Sequence, residues 1–182
     1  MRQIPNLLCL IRIALIWPIV TALAARNMPT ALALFAAAAV SDGLDGYLAK
    51  RFSWTSELGK ILDPLADKLL LITVFVQAAW LELIPWWLTA AVVARDVMIG
   101  LGALIYRLWF GPVRGRPTML SKINTALQLA YVGLVMLNTA VAVPPREMLD
   151  AAADITLAST VLSGLHYIAS FTRRVWTPAR PA

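Results

Sequence analysis

The sequence has few of the residues that build thiol or zinc chemistry. Cysteine and histidine occur once each, as Cys9 and His166, among 182 residues. A single cysteine excludes an intrachain disulfide, and there is no Cys/His cluster of the kind that binds zinc. A P-loop, a nucleophile elbow and internal repeats are also absent. His166 lies in an apolar segment, where a single histidine is more often a hydrogen-bonded packing residue than a base.

Charged residues are also scarce. They make up 14% of the chain, whereas a soluble globular protein carries about 25%. Apolar residues make up 60%, and the mean hydropathy is +0.73. These values predict an integral membrane protein with one transmembrane domain over residues 1–182 and no room for a soluble domain. The net charge of +6 comes from basic residues in short loops beside apolar segments, which favours anionic lipid over nucleic acid as the partner.

Six apolar segments are long enough to cross a bilayer, so the predicted fold is all-α with six transmembrane helices. The predicted spans are residues 7–25, 29–48, 59–80, 85–104, 123–143 and 151–171. Arg12 lies inside the first span, where a signal peptide would be uncharged, so we interpret that segment as a retained span. Trp80, Trp86 and Trp87 flank the turn between spans three and four, where an interfacial aromatic belt is expected.

Four of the ten acidic residues lie close together, at Asp42, Asp45, Asp63 and Asp67. On a helix, the first two side chains are separated by about 60° and the last two by about 40°, so each pair shares a helix face. Four ionised carboxylates in one place repel one another unless cations lie between them. Carboxylate oxygens without nearby His or Cys favour Mg²⁺ or Mn²⁺ over Zn²⁺. The alternative is that these are ordinary solvated charges at helix ends.

Glycines and cations accompany these acids. Gly46 and Gly59 lie where each carboxylate helix would approach a ligand, and the absence of a side chain permits a close backbone approach. The nearby cations are Lys50, Arg51, Lys60 and Lys68. A metal-binding carboxylate site with flanking cations is suited to a pyrophosphate substrate.

The arrangement resembles the signature of the CDP-alcohol phosphatidyltransferases, membrane enzymes that release CMP from a CDP-activated lipid or alcohol. The spacing is Asp-x-x-Asp-Gly-x-x-Ala-basic, eight residues, then Gly-x-x-x-Asp-x-x-x-Asp. Its positions here are Asp42, Asp45, Gly46, Ala49, Lys50, Gly59, Asp63 and Asp67. Lys50 departs from the pattern, because the family usually has Arg there and the bidentate fork is lost unless Arg51 substitutes.

The resemblance implies roles for these residues. Asp67 would be the catalytic base. Asp42, Asp45 and Asp63 would hold metal, with Asp67 sharing the second of two Mg²⁺ or Mn²⁺ ions. The CDP group of CDP-diacylglycerol would be lined by Gly46, Ala49, Lys50 and Gly59. The resemblance also implies a homodimer.

The segment from Ser121 to Gln128 bears on the acceptor. Phosphatidylglycerophosphate synthases resemble it but usually have a second Lys where this chain has Asn124. A phosphomonoester such as glycerol 3-phosphate profits from that cation, whereas phosphatidylglycerol presents only a phosphodiester and a hydroxyl. We therefore interpret the chain as most similar to the CMP-forming cardiolipin synthases, with glycerol 3-phosphate as the alternative acceptor. The candidate acceptor contacts are Arg95, Arg114, Arg116 and Lys122.

Arg95 and Asp96 are charges in the middle of the fourth predicted span. They would contact substrate, form a mutual ion pair, or pair with the carboxylates of the predicted metal site. A different class of function, a small proton or cation transporter, would also place charges within the membrane. Such a pathway distributes charges across the membrane depth, whereas the four acids here lie at one face.

Orientation follows from the basic residues. With a cytoplasmic N-terminus, the inner side holds Arg2, Lys50, Arg51, Lys60, Lys68, Arg107, Arg114, Arg116, Lys122, Arg173, Arg174 and Arg180. The outer side holds Arg26 and Arg146. This asymmetry predicts an active site facing the cytoplasm, in the inner membrane of a bacterium or of a mitochondrion.

Overall fold

The computed structural model describes residues 4–52, 59–110 and 118–176. Side chains are described for residues 11–41, 66–105, 108–109 and 118–172. Within these residues the protein contains six α-helices and no strand, which confirms the all-α prediction. The helices are α1 Ile4–Ala24, α2 Met28–Phe52, α3 Gly59–Trp80, α4 Trp86–Phe110, α5 Met119–Val141 and α6 Arg146–Trp176.

Short turns with local caps join several of these helices. The turn between α1 and α2 places Arg26 at a positive φ of 56°, and the backbone N–H of Asn27 donates to the carbonyl of Ala22. Thr118 caps α5, because its hydroxyl accepts from the backbone N–H of Ser121 at 3.2 Å. These caps satisfy backbone groups that a helix end leaves without an intrahelical partner.

The helices pack as a bundle around one apolar core. α1 packs against α2 and α3, α5 against α6 and α2, and α4 against α6 and α3. The largest fully buried side chains include Ile19, Phe75, Leu88 and Met136, so four different helices meet in the core. Many large apolar side chains on the outside are exposed, as expected for a surface that faces lipid.

The alanine-rich middle of α2 buries only a narrow stripe. Ala31, Phe35 and Ala38 are buried, whereas Ala36 and Ala37 are exposed. The buried positions are separated by four and three residues, which places them on one helix face. Small side chains on that face let α2 lie close to its neighbours.

Three helices are long and apolar enough to cross a membrane, at Trp86–Ile105, Met119–Val141 and Arg146–Thr172. The apolar stretches of the first two helices are shorter within the described residues, at Ile11–Ala24 and Met28–Ser41. A crossing helix needs about 20 residues. The protein is therefore an all-helical membrane protein with at least three helices suited to spanning.

Candidate active site

The four candidate metal ligands lie on two consecutive helices. Asp42 and Asp45 belong to the last turns of α2, and Asp63 and Asp67 to the first turns of α3. Six residues connect these helices, so the end of α2 and the start of α3 belong to the same end of the bundle. The side chains of Asp42, Asp45 and Asp63 lie outside the described ones, so the meeting of the four carboxylates stays a prediction.

The other candidate residues fall into three groups. Gly46, Ala49 and Lys50 lie in α2 and Gly59 begins α3, but the side-chain environment there is outside the described part. Arg114 and Arg116 are outside the described residues altogether. Lys122, in the first turn of α5, has an exposed side chain.

Asp67 forms an ion pair with Arg12. The bond joins Nη1 of Arg12, on α1, to Oδ1 of Asp67, on α3. The arginine side chain is 3% exposed and the aspartate side chain 36% exposed, so the cation reaches the carboxylate from inside the bundle. The interaction neutralises the negative charge of Asp67. It also gives Arg12, a charge within an apolar helix, the partner that such a residue requires.

A second group of polar side chains surrounds Asp96. Its Oδ1 accepts from Nζ of Lys68 and from Nη1 of Arg95, at 2.6 Å each. Nη2 of Arg95 donates to the hydroxyls of Ser121 and Ser163, at 2.7 and 2.6 Å. We name these five residues the Asp96 cluster. It joins α3, α4, α5 and α6 through side chains that are mostly buried.

Arg95 and Asp96 thus form a mutual ion pair, one of the arrangements that the sequence permitted. Both side chains are almost fully buried, at 3% and 1% exposure. Asp96 Oδ2 and Arg95 Nε have no hydrogen-bond partner among the described residues. Both terminal nitrogens of Arg95 already donate to protein side chains, so Nε is the guanidinium nitrogen without a partner among the described residues.

Lys68 and His166 differ from the sequence-based interpretation. Lys68, one of the cations predicted to flank the carboxylate site, is the tenth residue of α3, and its ammonium pairs with Asp96. The predicted orientation, which rests on all the basic residues, stays a prediction. His166 was expected to be a packed residue, and that prediction is wrong, because its side chain is exposed on α6.

A neutral group of buried polar residues lies beside the Asp96 cluster. Oδ1 of Asn124 accepts from the hydroxyls of Ser159 and Thr160, at 2.7 and 3.0 Å. Nε2 of Gln128 donates to the hydroxyl of Thr160 at 3.2 Å. We name these four residues the Asn124 cluster. It joins α5 to α6 with no charged member.

Sequence reasoning missed the hydroxyl partners on α6 and the pairing of Arg12 with Asp67. Ser159, Thr160 and Ser163 are spaced so that they share one face of α6, and this spacing was a usable signal for a polar interface. The charge of Arg12 inside an apolar segment likewise signalled a buried partner. Neither pattern identifies which helix supplies that partner.

Among the side chains that are described, no group of three or more His, Cys, Asp or Glu lies close enough to hold a metal ion. Only Asp67 of the four candidate ligands belongs to that part of the chain. The donor chemistry nevertheless fits a hard divalent cation, because all four candidates are carboxylates in two helical pairs.

The family model for CDP-alcohol phosphatidyltransferase matches residues 2–165. The chain belongs to the CDP-alcohol phosphatidyltransferase family. The match includes all eight signature positions and the Asp96 and Asn124 clusters. The family assignment made from the signature is thereby confirmed.

Individual family members are similar over different lengths. The human "Cardiolipin synthase (CMP-forming)" is 36% identical over 146 residues, which cover 71% of this chain and 48% of the relative. A Drosophila melanogaster "Probable cardiolipin synthase (CMP-forming)" is 36% identical over 147 residues, covering 72% and 46%. The chain thus spans about half the length of these two relatives.

A Mycobacterium tuberculosis "Probable phosphatidylglycerophosphate synthase" is similar over a longer range. It is 30% identical over 188 residues, which cover 95% of this chain and 83% of the relative. Family members named for two different activities therefore resemble the chain. The two cardiolipin synthases have the higher identity, and the phosphatidylglycerophosphate synthase matches over the greater length.

Proposed function

We propose that the protein transfers a phosphatidyl group from CDP-diacylglycerol to an alcohol hydroxyl, with release of CMP. The observation that carries the proposal is the placement of the eight signature positions at the end of α2 and the start of α3, within the family match. The preferred acceptor is phosphatidylglycerol, which would make the product cardiolipin. The whole chain, residues 1–182, would act as one transmembrane catalytic domain.

The carboxylates would hold two divalent cations, Mg²⁺ or Mn²⁺. Asp42, Asp45 and Asp63 are the proposed ligands, with Asp67 shared. Bound metal would neutralise the pyrophosphate and stabilise charge on the departing CMP. Gly46, Ala49, Lys50 and Gly59 would line the CDP group. Backbone at the two glycines can approach a phosphate closely because no Cβ intervenes.

Asp67 is the proposed base for the acceptor hydroxyl. Its ion pair with Arg12 supports a defined position for this carboxylate, because the buried guanidinium on α1 holds one oxygen of Asp67 in place. Arg12 would therefore act as a positioning residue, which fixes Asp67 relative to α1.

The position of Asn124 supports a phosphodiester acceptor. Asn124 is fully buried, and it lies one helical turn from Ser121, which binds Arg95. In the Asp96 cluster one carboxylate already faces two cations. A third cation at position 124 would be repelled by the other two in the absence of an added acid or a phosphomonoester. The neutral amide thus fits an acceptor with less negative charge.

Glycerol 3-phosphate is the second candidate acceptor. The mycobacterial relative, which is named a probable phosphatidylglycerophosphate synthase, favours this acceptor because the match covers most of both chains. The acceptor contacts proposed for either alcohol are Arg95, Arg114, Arg116 and Lys122. Exposed Lys122, near the start of α5, is accessible to an incoming anion.

The membrane arrangement proposed for this activity has six spans and a cytoplasmic active site. The basic residues near the ends of the helices support this orientation. Such a protein would lie in the inner membrane of a bacterium or of a mitochondrion. We also propose a homodimer, on the basis of the family.

The test is CMP release by purified protein supplied with CDP-diacylglycerol and Mn²⁺. Phosphatidylglycerol and glycerol 3-phosphate are compared as acceptors, with wild type, Asp67→Asn and Glu147→Gln. We expect CMP release with phosphatidylglycerol. Asp67→Asn should lower the rate of CMP release at least about 100-fold, because general-base catalysis typically contributes that much to the rate. Glu147→Gln should leave the rate unchanged. Glu147 is an exposed carboxylate in the first turn of α6, outside the proposed site.

Two results would contradict parts of the proposal. Release with glycerol 3-phosphate alone would keep the reaction class but reverse the choice of acceptor. Release with neither alcohol, in protein that remains folded, would overturn the transferase function.

A further inference from the structure

A cavity lies at the end of the bundle opposite the proposed active site. Its volume is about 530 Å³, and residues of the α3–α4 turn, α5 and the first turns of α6 line it. Ala79, which contributes to its wall, is twelve residues beyond Asp67 on α3. This separation is about 18 Å along the helix axis, so the cavity is separate from the carboxylate site.

Tyr131 forms part of the buried wall of this cavity. The residue is only 4% exposed, and its ring packs against Phe75 with centroids 6.4 Å apart. Its hydroxyl makes no hydrogen bond with any residue in the described part of the chain. The residue as a whole is buried, but its hydroxyl oxygen is not sealed off, so it opens into the cavity, where a polar group of a ligand can bond to it.

The rim of the cavity carries an excess of negative charge. Three exposed carboxylates, those of Glu82, Asp150 and Asp154, stand against one guanidinium, that of Arg146. None of these four side chains forms an ion pair with another described residue. Their charges are therefore available to a ligand, and the excess of carboxylates favours a cationic group.

The spacing along α6 fits a ligand with charges of both signs. Arg146, Asp150 and Asp154 follow one another at intervals of four residues, so they share a helix face with steps of about 6 Å along the axis. An anionic group at Arg146 and a cationic group at Asp150 can thus belong to one small headgroup. The same three carboxylates do not come close enough together to hold a single metal ion.

Tryptophans at the mouth of the cavity add a surface for a cation and for lipid. Trp86 and Trp87 line it and are each about half exposed, and Trp86 is held by an edge-on contact with Trp80 at 6.0 Å. Indole faces attract ammonium groups, and tryptophan favours the membrane interface. A ligand here would meet aromatic rings and acids at headgroup depth.

We propose that this cavity binds the headgroup of a phospholipid that carries a primary ammonium group. The phosphate would pair with Arg146, the ammonium with Asp150 and Asp154, and the Tyr131 hydroxyl would hydrogen-bond the headgroup from within. Acidic lipids, including the proposed product, would be repelled by the net negative rim. The inference concerns lipid binding at the second end of the bundle and does not depend on transferase activity.

The test measures lipid binding to the full chain in detergent micelles by native mass spectrometry. The probes are phosphatidylethanolamine, its N-acetyl derivative, which lacks the positive charge, and soluble glycerophosphoethanolamine. The variants are Asp150→Asn/Asp154→Asn and Tyr131→Phe, with Glu147→Gln as the matched control. Glu147 is an exposed carboxylate of the same helical turn that does not line the cavity.

We expect saturable binding of phosphatidylethanolamine, weakened about tenfold in the double variant and about threefold in Tyr131→Phe, with no change in the control. The N-acetyl lipid should bind about tenfold more weakly than the parent lipid. The two aspartates are exposed, so the double variant should fold. Tyr131→Phe removes one oxygen atom and gives an independent readout.

Three outcomes would overturn the proposal. The first is equal binding of the N-acetyl lipid, because the ammonium would then not be recognised. The second is binding that neither variant weakens, because the ligand would then lie elsewhere. The third is equally tight binding of soluble glycerophosphoethanolamine, because the acyl chains would then contribute nothing and the ligand would be a water-soluble phosphoethanolamine compound and not a lipid.

Discussion

The Asp96 cluster and the Asn124 cluster are neighbours in the same bundle, yet they stabilise it by different means. The first joins four helices through two cations and one carboxylate. The second joins only α5 and α6, through amides and hydroxyls. Removing one partner from a buried charged group leaves an uncompensated charge, whereas removing a neutral partner leaves at most an unpaired dipole. The clusters should therefore differ in how much they tolerate substitution.

The largest effect is expected for Asp96→Asn. The change leaves Arg95, at 3% side-chain exposure, without its carboxylate, and it removes the partner of Lys68. We expect the free energy of unfolding to fall by about 3–5 kcal/mol. Unfolding by sodium dodecyl sulfate titration measures it. Glu147→Gln, the same type of change at an exposed site, should leave it unchanged.

A double variant sharpens this prediction. Arg95→Met with Asp96→Leu removes both buried charges, and it should cost less than Asp96→Leu alone. Costs that simply add would contradict the view that the two residues act as one charged unit.

An intermediate effect is expected for Asn124→Lys, which introduces a charge into the neutral cluster. The ammonium would lie in a fully buried position near two cations and one acid. We expect the free energy of unfolding to fall by about 2–3 kcal/mol, since burial disfavours the charged form. Asn124→Leu is the neutral control and should cost about 1 kcal/mol. Equal stability of the lysine variant and wild type would indicate that position 124 reaches solvent.

The smallest effect is expected for Thr160→Val. The substitution keeps the side-chain shape but removes a donor to Asn124 and an acceptor for Gln128. We expect a loss of about 0.5–1 kcal/mol in the free energy of unfolding, because interhelical hydrogen bonds in membrane proteins are weak. Thr172→Val, the same change at an exposed position, is the control and should cost less. A loss as large as that of Asp96→Asn would remove the distinction between the clusters.

The two clusters also show which parts of the site could be predicted from the sequence. Its spans for the second and third helices began within one residue of the observed starts at Met28 and Gly59, because helix boundaries depend on local hydropathy and on glycine and proline. The signature from Asp42 to Asp67 was readable for the same reason, since its spacing is a property of consecutive residues. The pairing of Lys68 with Asp96 was not predicted, because a basic residue next to an apolar run looks alike whether it faces water or a buried acid.

The six helices of the described residues, the family and the place of the carboxylates at adjoining helix ends could all be predicted, because they follow from residue type and spacing along the chain. Three features are visible only in the folded chain: Arg12 pairs with Asp67, Lys68 and Arg95 share Asp96, and Asn124 faces the hydroxyls of α6. Each of these contacts joins residues that are distant in the chain. Which helices become neighbours, and at what rotation, is set by packing of the whole bundle, and no local pattern records it.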